Sequence, residues 1–229
     1  MIMKALLLQQ TLRPWLLTIL FLTCSVTSSI AQNDNIDCYS KHKAEYDKVG
    51  LKSIVDKRLK MMLRPFFELG DQDSSKLFFF DYKPIIKNDS VVYFNIDKGL
   101  AKGYAFRIET QKFDSTKHKI TERSKVEICD IDNKVFWGTD GGFPNQEIKS
   151  FKVSFNNQRI SLPKDQFNDL YDPSFQTFLD GSFNVAAKMD KKGLYFIIVL
   201  FGSDGAGSYC AIWIFKNGKY LKRVVDTLC

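Results

Sequence analysis

LYFIIVLFGSDGAGSYCAIWIFKNGKYLKRVV, from Leu194 to Val225, is the stretch that decides the fold. Its two apolar runs, Leu194 to Phe201 and Tyr209 to Phe215, are far shorter than the ~20 residues that span a bilayer. They have strand length, and neither alternates cleanly between polar and apolar residues. Each therefore reads as a central strand covered on both faces, by a helix or a second sheet. A Gly-rich connection, Gly202 to Ser208, joins them. The Asn-Gly pair of Lys216-Asn217-Gly218-Lys219 favours a type I′ hairpin turn, and Tyr220 to Val225 is the returning strand. Counting back from that turn places Cys210 opposite Val225. Phe183 to Met189 and the turn Asp190 to Gly193 precede the pair, so the C-terminal part reads as a β-meander.

Upstream, Ile148 to Phe155, the turn Asn156-Asn157 and Ile160 to Leu162 extend the strand pattern, with a short helix expected over Lys164 to Leu170. Further strands are expected over Lys76 to Tyr82, Val91 to Ile96, Gly103 to Thr110, Thr121 to Ile128 and Lys134 to Trp137. The third alternates, with Tyr104, Phe106 and Ile108 on the face expected to be buried. The period changes to that of a helix over Tyr39 to Phe67, where Leu51, Ile54, Val55, Leu59, Met62, Leu63 and Phe66 form one stripe that Gly50 interrupts. The fold class is therefore α+β: an N-terminal amphipathic helix packed with an antiparallel β-sheet, then a C-terminal β-meander. The Gly-rich Gly138 to Pro144 suggests a boundary, giving 32–142 and 143–229, or one continuous domain over 32–229.

Residues 1–31 read as a secretory signal. Lys4 and Arg13 precede the apolar Trp15 to Leu22, and Ser29-Ile30-Ala31 supplies the small residues of a cleavage site. Export to a periplasmic or extracellular location follows, without a transmembrane anchor after cleavage. Lipid attachment at Cys24 is disfavoured by the preceding Thr23. Four cysteines remain, Cys38, Cys129, Cys210 and Cys229, and in an oxidising compartment they suggest two disulfides. Cys38 with Cys229 and Cys129 with Cys210 is the favoured pairing. The spacings are too wide for a metal signature, and no cofactor motif is present.

The chain has 229 residues, 45% of them hydrophobic and 14% aromatic, which excludes a disordered tail or a collagen-like fibre. Thirty-three Lys and Arg face 26 Asp and Glu. Eight basic and three acidic residues fall within 39–64, so the excess is concentrated in the expected helix. Export argues against nucleic acid as the partner for this charge, and leaves a protein partner or an envelope glycan.

The run G-S-D-G-A-G-S-Y (Gly202 to Tyr209), then Trp213, then K-N-G-K-Y (Lys216 to Tyr220), resembles a signature of uncharacterised exported bacterial proteins, written GDGAGSY…W…KDGKY. The resemblance covers about Ile148 to Asp226 and implies a lineage, with no activity attached.

The Gly202–Ser208 loop lies at a sheet edge, where its glycines free backbone N–H groups to meet a ligand. Ser203, Asp204, Ser208 and Tyr209 are the candidate ligand or partner residues, against a purely structural Asx-turn. No Gly-Lys-Ser/Thr follows, so this is no Walker loop, and it lacks the carboxylates of an EF-hand. Thr139-Asp140-Gly141-Gly142 reads as a linker. Asp165, Asp169 and Asp172 offer paired carboxylates for hydrolysis, with capping as the plainer role. His42 and His118, each in K-H-K, read as exposed. No catalytic residue is assigned. The expected function is a non-catalytic binding module, inhibitor- or immunity-like; the alternative is a cell-envelope or glycan hydrolase using the loop carboxylates.

Overall fold

The computed structural model describes residues 43–67, 75–88, 90–124, 127–176, 184–203 and 207–227. They are mostly antiparallel β-structure with a few short helices. Helix α1 covers 43–49, α2 Lys57–Leu63 and α3 Ser75–Phe78. The strands are β1 (Phe79–Tyr82), β2 (Ile85–Asn88), β3 (Val91–Asn95), β4 (Tyr104–Lys112), β5 (Ile120–Ser124), β6 (Glu127–Ile131), β7 (Gln146–Phe155), β8 (Gln158–Ile160), β9 (Val185–Asp190), β10 (Tyr195–Gly202), β11 (Tyr209–Lys216) and β12 (Lys219–Thr227). One sheet runs β1-β9-β10-β11-β12, a second β2-β3-β4-β7-β8, and β5-β6 is a separate hairpin. Strands from both sides of residue 142 enter both large sheets, so the expected boundary there falls inside one compact unit spanning 44–229.

The doubly apolar strands explain the layering. Phe196, Ile198 and Leu200 of β10, with Tyr209, Ala211, Trp213 and Phe215 of β11, face the second sheet. There they meet Val92, Phe106, Ile108, Phe151 and Val153. Edge-to-face contact of Phe151 with Trp213 (4.6 Å) and stacking of Tyr104 on Phe196 (4.1 Å) tie the sheets together. The alternate residues Tyr195, Ile197, Val199, Cys210, Ile212 and Ile214 form a second core with Ile54, Leu59, Met62, Leu63 and Phe66. Period-2 alternation sends each strand into two different cores, which is why neither strand shows a polar face. The outer sheet has one wetted side, and Tyr104, Phe106 and Ile108 are buried as their spacing predicts.

The expected long helix is broken. Gly50 is extended (ψ 177°) and buried against the Tyr46 carbonyl, and the Leu51 N–H donates to the Asp226 carboxylate (3.2 Å). Ile54 is extended as well, and Val55, counted in the stripe, is exposed. Helix α2 restarts at Asp56, whose carboxylate caps the Leu59 N–H (3.0 Å). It tightens into a 3-10 turn at Arg64–Phe66, where Pro65 has no N–H to continue the ladder. Residues 39–42 of the expected segment lie outside the described residues.

Three further expectations change. Residues 75–78 are helical, and only 79–82 form a strand. The single strand expected over 121–128 is a hairpin of β5 and β6, and 134–137 makes isolated bridges only. A bulge between Ile214 and Phe215 shifts the last hairpin by one residue, so Cys210 faces Asp226 and Ala211 faces Val225.

The expected Cys129–Cys210 disulfide does not form. Cys210 points into the helix-side core, is fully buried and is a free thiol. Cys129 is disulfide-bonded, to a residue other than Cys210. Cys38 and Cys229 lie outside the described residues.

Candidate functional site

The β10–β11 connection does not stand alone. Three segments that are remote in sequence meet it: the Gly138–Gly142 loop, the Asp169–Pro173 segment and the start of β7. Ser203, at φ 59°, donates its N–H to the Asp172 carbonyl (3.0 Å), and Gly202 bridges to Pro173. Gly207 donates its N–H to the Asp140 carboxylate. Asp172, also at positive φ (45°), accepts the N–H groups of Asn145 (2.8 Å) and Gln146 (2.7 Å) at one carboxylate oxygen. Burial pushes the Asp172 carboxyl above its ordinary range, against the pull of those two N–H groups. Thr139–Gly142, read as a linker, is thus part of this cluster.

Tyr209 corrects the sequence reading. As the first residue of β11 it points inward and is fully buried, so it is a core residue rather than a partner contact. Its ring lies across Gly202, where a Cβ would overlap it, and close to Gly138 as well. Gly138 sits at φ 112°, and a Cβ there would meet the Tyr171 carbonyl. Burial raises the phenol well above its usual value, and the charges of Asp169 and Asp172 add to this. The Tyr209 hydroxyl, Trp137 Nε1 and Thr139 Oγ1 are buried without a hydrogen-bond partner among the described residues. Ser203 and Ser208 are half-buried at the mouth of the loop, and Asp204 lies outside the described residues.

The carboxylates offered for catalysis sit in different surroundings. Asp169 forms a buried bidentate pair with Arg223. Asp165 is exposed on the 3-10 turn Lys164–Gln166, which replaces the expected helix. Gln166 pins this segment, accepting Trp213 Nε1–H at its carbonyl (2.8 Å) and the Tyr220 hydroxyl at its side chain (2.5 Å).

His118 is not exposed. It stacks on Phe113 (4.8 Å between ring centres), with Nδ1 2.8 Å from Asp132 and Nε2 2.9 Å from Glu147. Both nitrogens are thereby occupied by carboxylates, which leaves neither to activate a hydroxyl. His42 lies outside the described residues. Among the described residues no group of three or more His, Cys, Asp or Glu side chains is placed to hold a metal ion. No described helix is long and apolar enough to cross a membrane.

No protein-family model, curated protein or solved structure matches the chain. The functional reading is therefore argued from the sequence and the site.

Proposed function

We propose that this is an exported protein that acts by binding rather than catalysis, presenting the mouth of the Gly202–Ser208 loop to a protein partner, as an inhibitor or immunity factor does. The observation that carries this reading is the locking of that loop by Asp140 and Asp172 from two other segments. Such bracing, by the Asp140 carboxylate and the Asp172 carbonyl, lowers the ordering cost of binding. The signal-like residues 1–31 support export, as does the resemblance of Gly202–Tyr209 and Lys216–Tyr220 to exported bacterial proteins. A pull-down from envelope extract with wild-type and Asp204→Ala/Ser208→Ala protein tests it. The variant retains its melting temperature and loses the partner; a partner captured equally by both proteins refutes the loop assignment.

A second reading, a glycan hydrolase, is favoured by one observation: the raised carboxyl of Asp172 beside the loop. Turnover of envelope glycan by the wild type, abolished in a folded Asp172→Asn variant, establishes it in place of the first.

A further inference from the structure

Seven residues along β11 from the loop, roughly 24 Å at ~3.4 Å per residue, the tips of two hairpins lie side by side. One is Asn156-Asn157, between β7 and β8; the other is Asn217-Gly218, between β11 and β12. They are pinned together. The Gly218 N–H donates to the Tyr104 hydroxyl (2.9 Å), and a Cβ on Gly218 would overlap the Phe155 ring. The Asn156 N–H donates to the Gly103 carbonyl (2.9 Å). Strands β8 and β12 are the edges of their sheets, so the sandwich is open at this corner.

The opening is a groove of about 710 Å³, lined among others by Phe155, Asn156, Gln158, Arg159, Lys219 and Tyr220. Its chemistry is one-sided, because none of the lining residues carries a carboxylate. The Arg159 and Lys219 side chains are both exposed and make no ion pair or hydrogen bond among the described residues. Asp165, whose charge reaches Tyr220, is not part of the lining. The walls are rigid: Phe155 packs on Tyr104 (4.5 Å), and the Tyr220 hydroxyl is held by Gln166.

Each class of lining group selects a ligand feature. Arg159 offers a planar fork for a carboxylate, and Lys219 a point charge. Side-chain amides both donate and accept, which matches hydroxyl groups that do the same. Aromatic walls cover apolar C–H surface. The volume lies within the range of pockets that take whole small molecules, and exceeds what a lone inorganic anion fills. We propose that this groove binds an acidic oligosaccharide, with its carboxylates on Arg159 and Lys219, its hydroxyls on Asn156 and Gln158, and a sugar face on Tyr220. The site is remote from the Gly202–Ser208 loop and does not depend on the function proposed for it.

Titration calorimetry of the mature protein with trigalacturonic acid, and with its fully methyl-esterified form, tests the inference. The acid form binds, and the ester, of similar shape without the charge, binds about tenfold or more weakly. Arg159→Gln/Lys219→Gln weakens the acid form by a similar factor while the melting temperature stays put, since both side chains are exposed and Gln keeps part of each stem. Lys112→Gln, at the end of β4, leaves binding unchanged. No binding of the acid form, equal binding of acid and ester, or equal binding by the double variant overturns the proposal.

Discussion

Arg223 of β12 and Asp169 of the segment before β9 meet in a buried, two-pronged ion pair, Nη1 to Oδ1 at 2.5 Å and Nη2 to Oδ2 at 2.7 Å. Burial alone lowers the guanidinium pKa, and the hydrogen bonds and charge of Asp169 more than offset it, so Arg223 stays charged. The pair clamps the 164–173 segment against the sheet, with Trp213 directly opposite Arg223 in the ladder.

Removing one partner strands the other. Arg223→Met leaves Asp169 buried without its cation and costs about 3–5 kcal/mol, read as a lower urea midpoint. Arg223→Met/Asp169→Leu recovers most of that loss, because no unpaired charge remains. A single variant within about 1 kcal/mol of wild type contradicts the clamp.

Asp172 behaves oppositely with pH. Its folded-state pKa lies above the ordinary 3.8, so the folded protein holds this proton more tightly than the unfolded chain. Stability from this group is therefore present below 3.8 and is lost as pH rises through the folded value. Asp172→Asn keeps a carbonyl oxygen for the Asn145 and Gln146 N–H groups and removes the charge. Thermal melts at neutral pH place the variant at or above wild type, with the gap closing in acid. A variant destabilised at every pH shows that the charge itself is needed.

Gly138→Ala forces a Cβ onto the Tyr171 carbonyl at a backbone angle that alanine rarely adopts. The angle alone costs roughly 1–3 kcal/mol, and the overlap adds to it. Denaturant unfolding measures the loss; an alanine variant as stable as wild type means that the loop shifts freely.

Cys210 is a buried thiol raised well above its usual pKa, first by burial and then by the charge of Asp226. Iodoacetamide leaves it unmodified in the folded protein and alkylates it in denaturant, as peptide mass mapping reads out. Labelling under native conditions at the unfolded rate excludes the packed position.

The layering was legible because β10 and β11 lack a polar face, and only cover on both sides explains that. The site was less so. Ser203 is joined to the Asp172 carbonyl and Gly207 to the Asp140 carboxylate, across 30 or more positions, and such bonds leave no local pattern. Tyr209 belongs to a recognisable motif, yet membership does not say which face of a strand a residue takes; one position of register decides it. His118 reads as solvated from its flanking lysines, whereas its partners Asp132 and Glu147 come from other elements. The bulge before Phe215 has its only trace in Leu221, an exposed apolar residue that opposes no ladder position. The helical period over 39–67 failed where Asp226 of the last strand captures the Leu51 N–H.

Strand β1, residues 79–82, is paired with β9, residues 185–190, and the rest of its sheet comes from the final 35 positions. The other large sheet is complete by residue 160, but most of the residues that cover its apolar face belong to β9 to β12. A chain made from its N-terminus therefore lacks most of the shared core until its last strands are available. Closure over such long loops is slow.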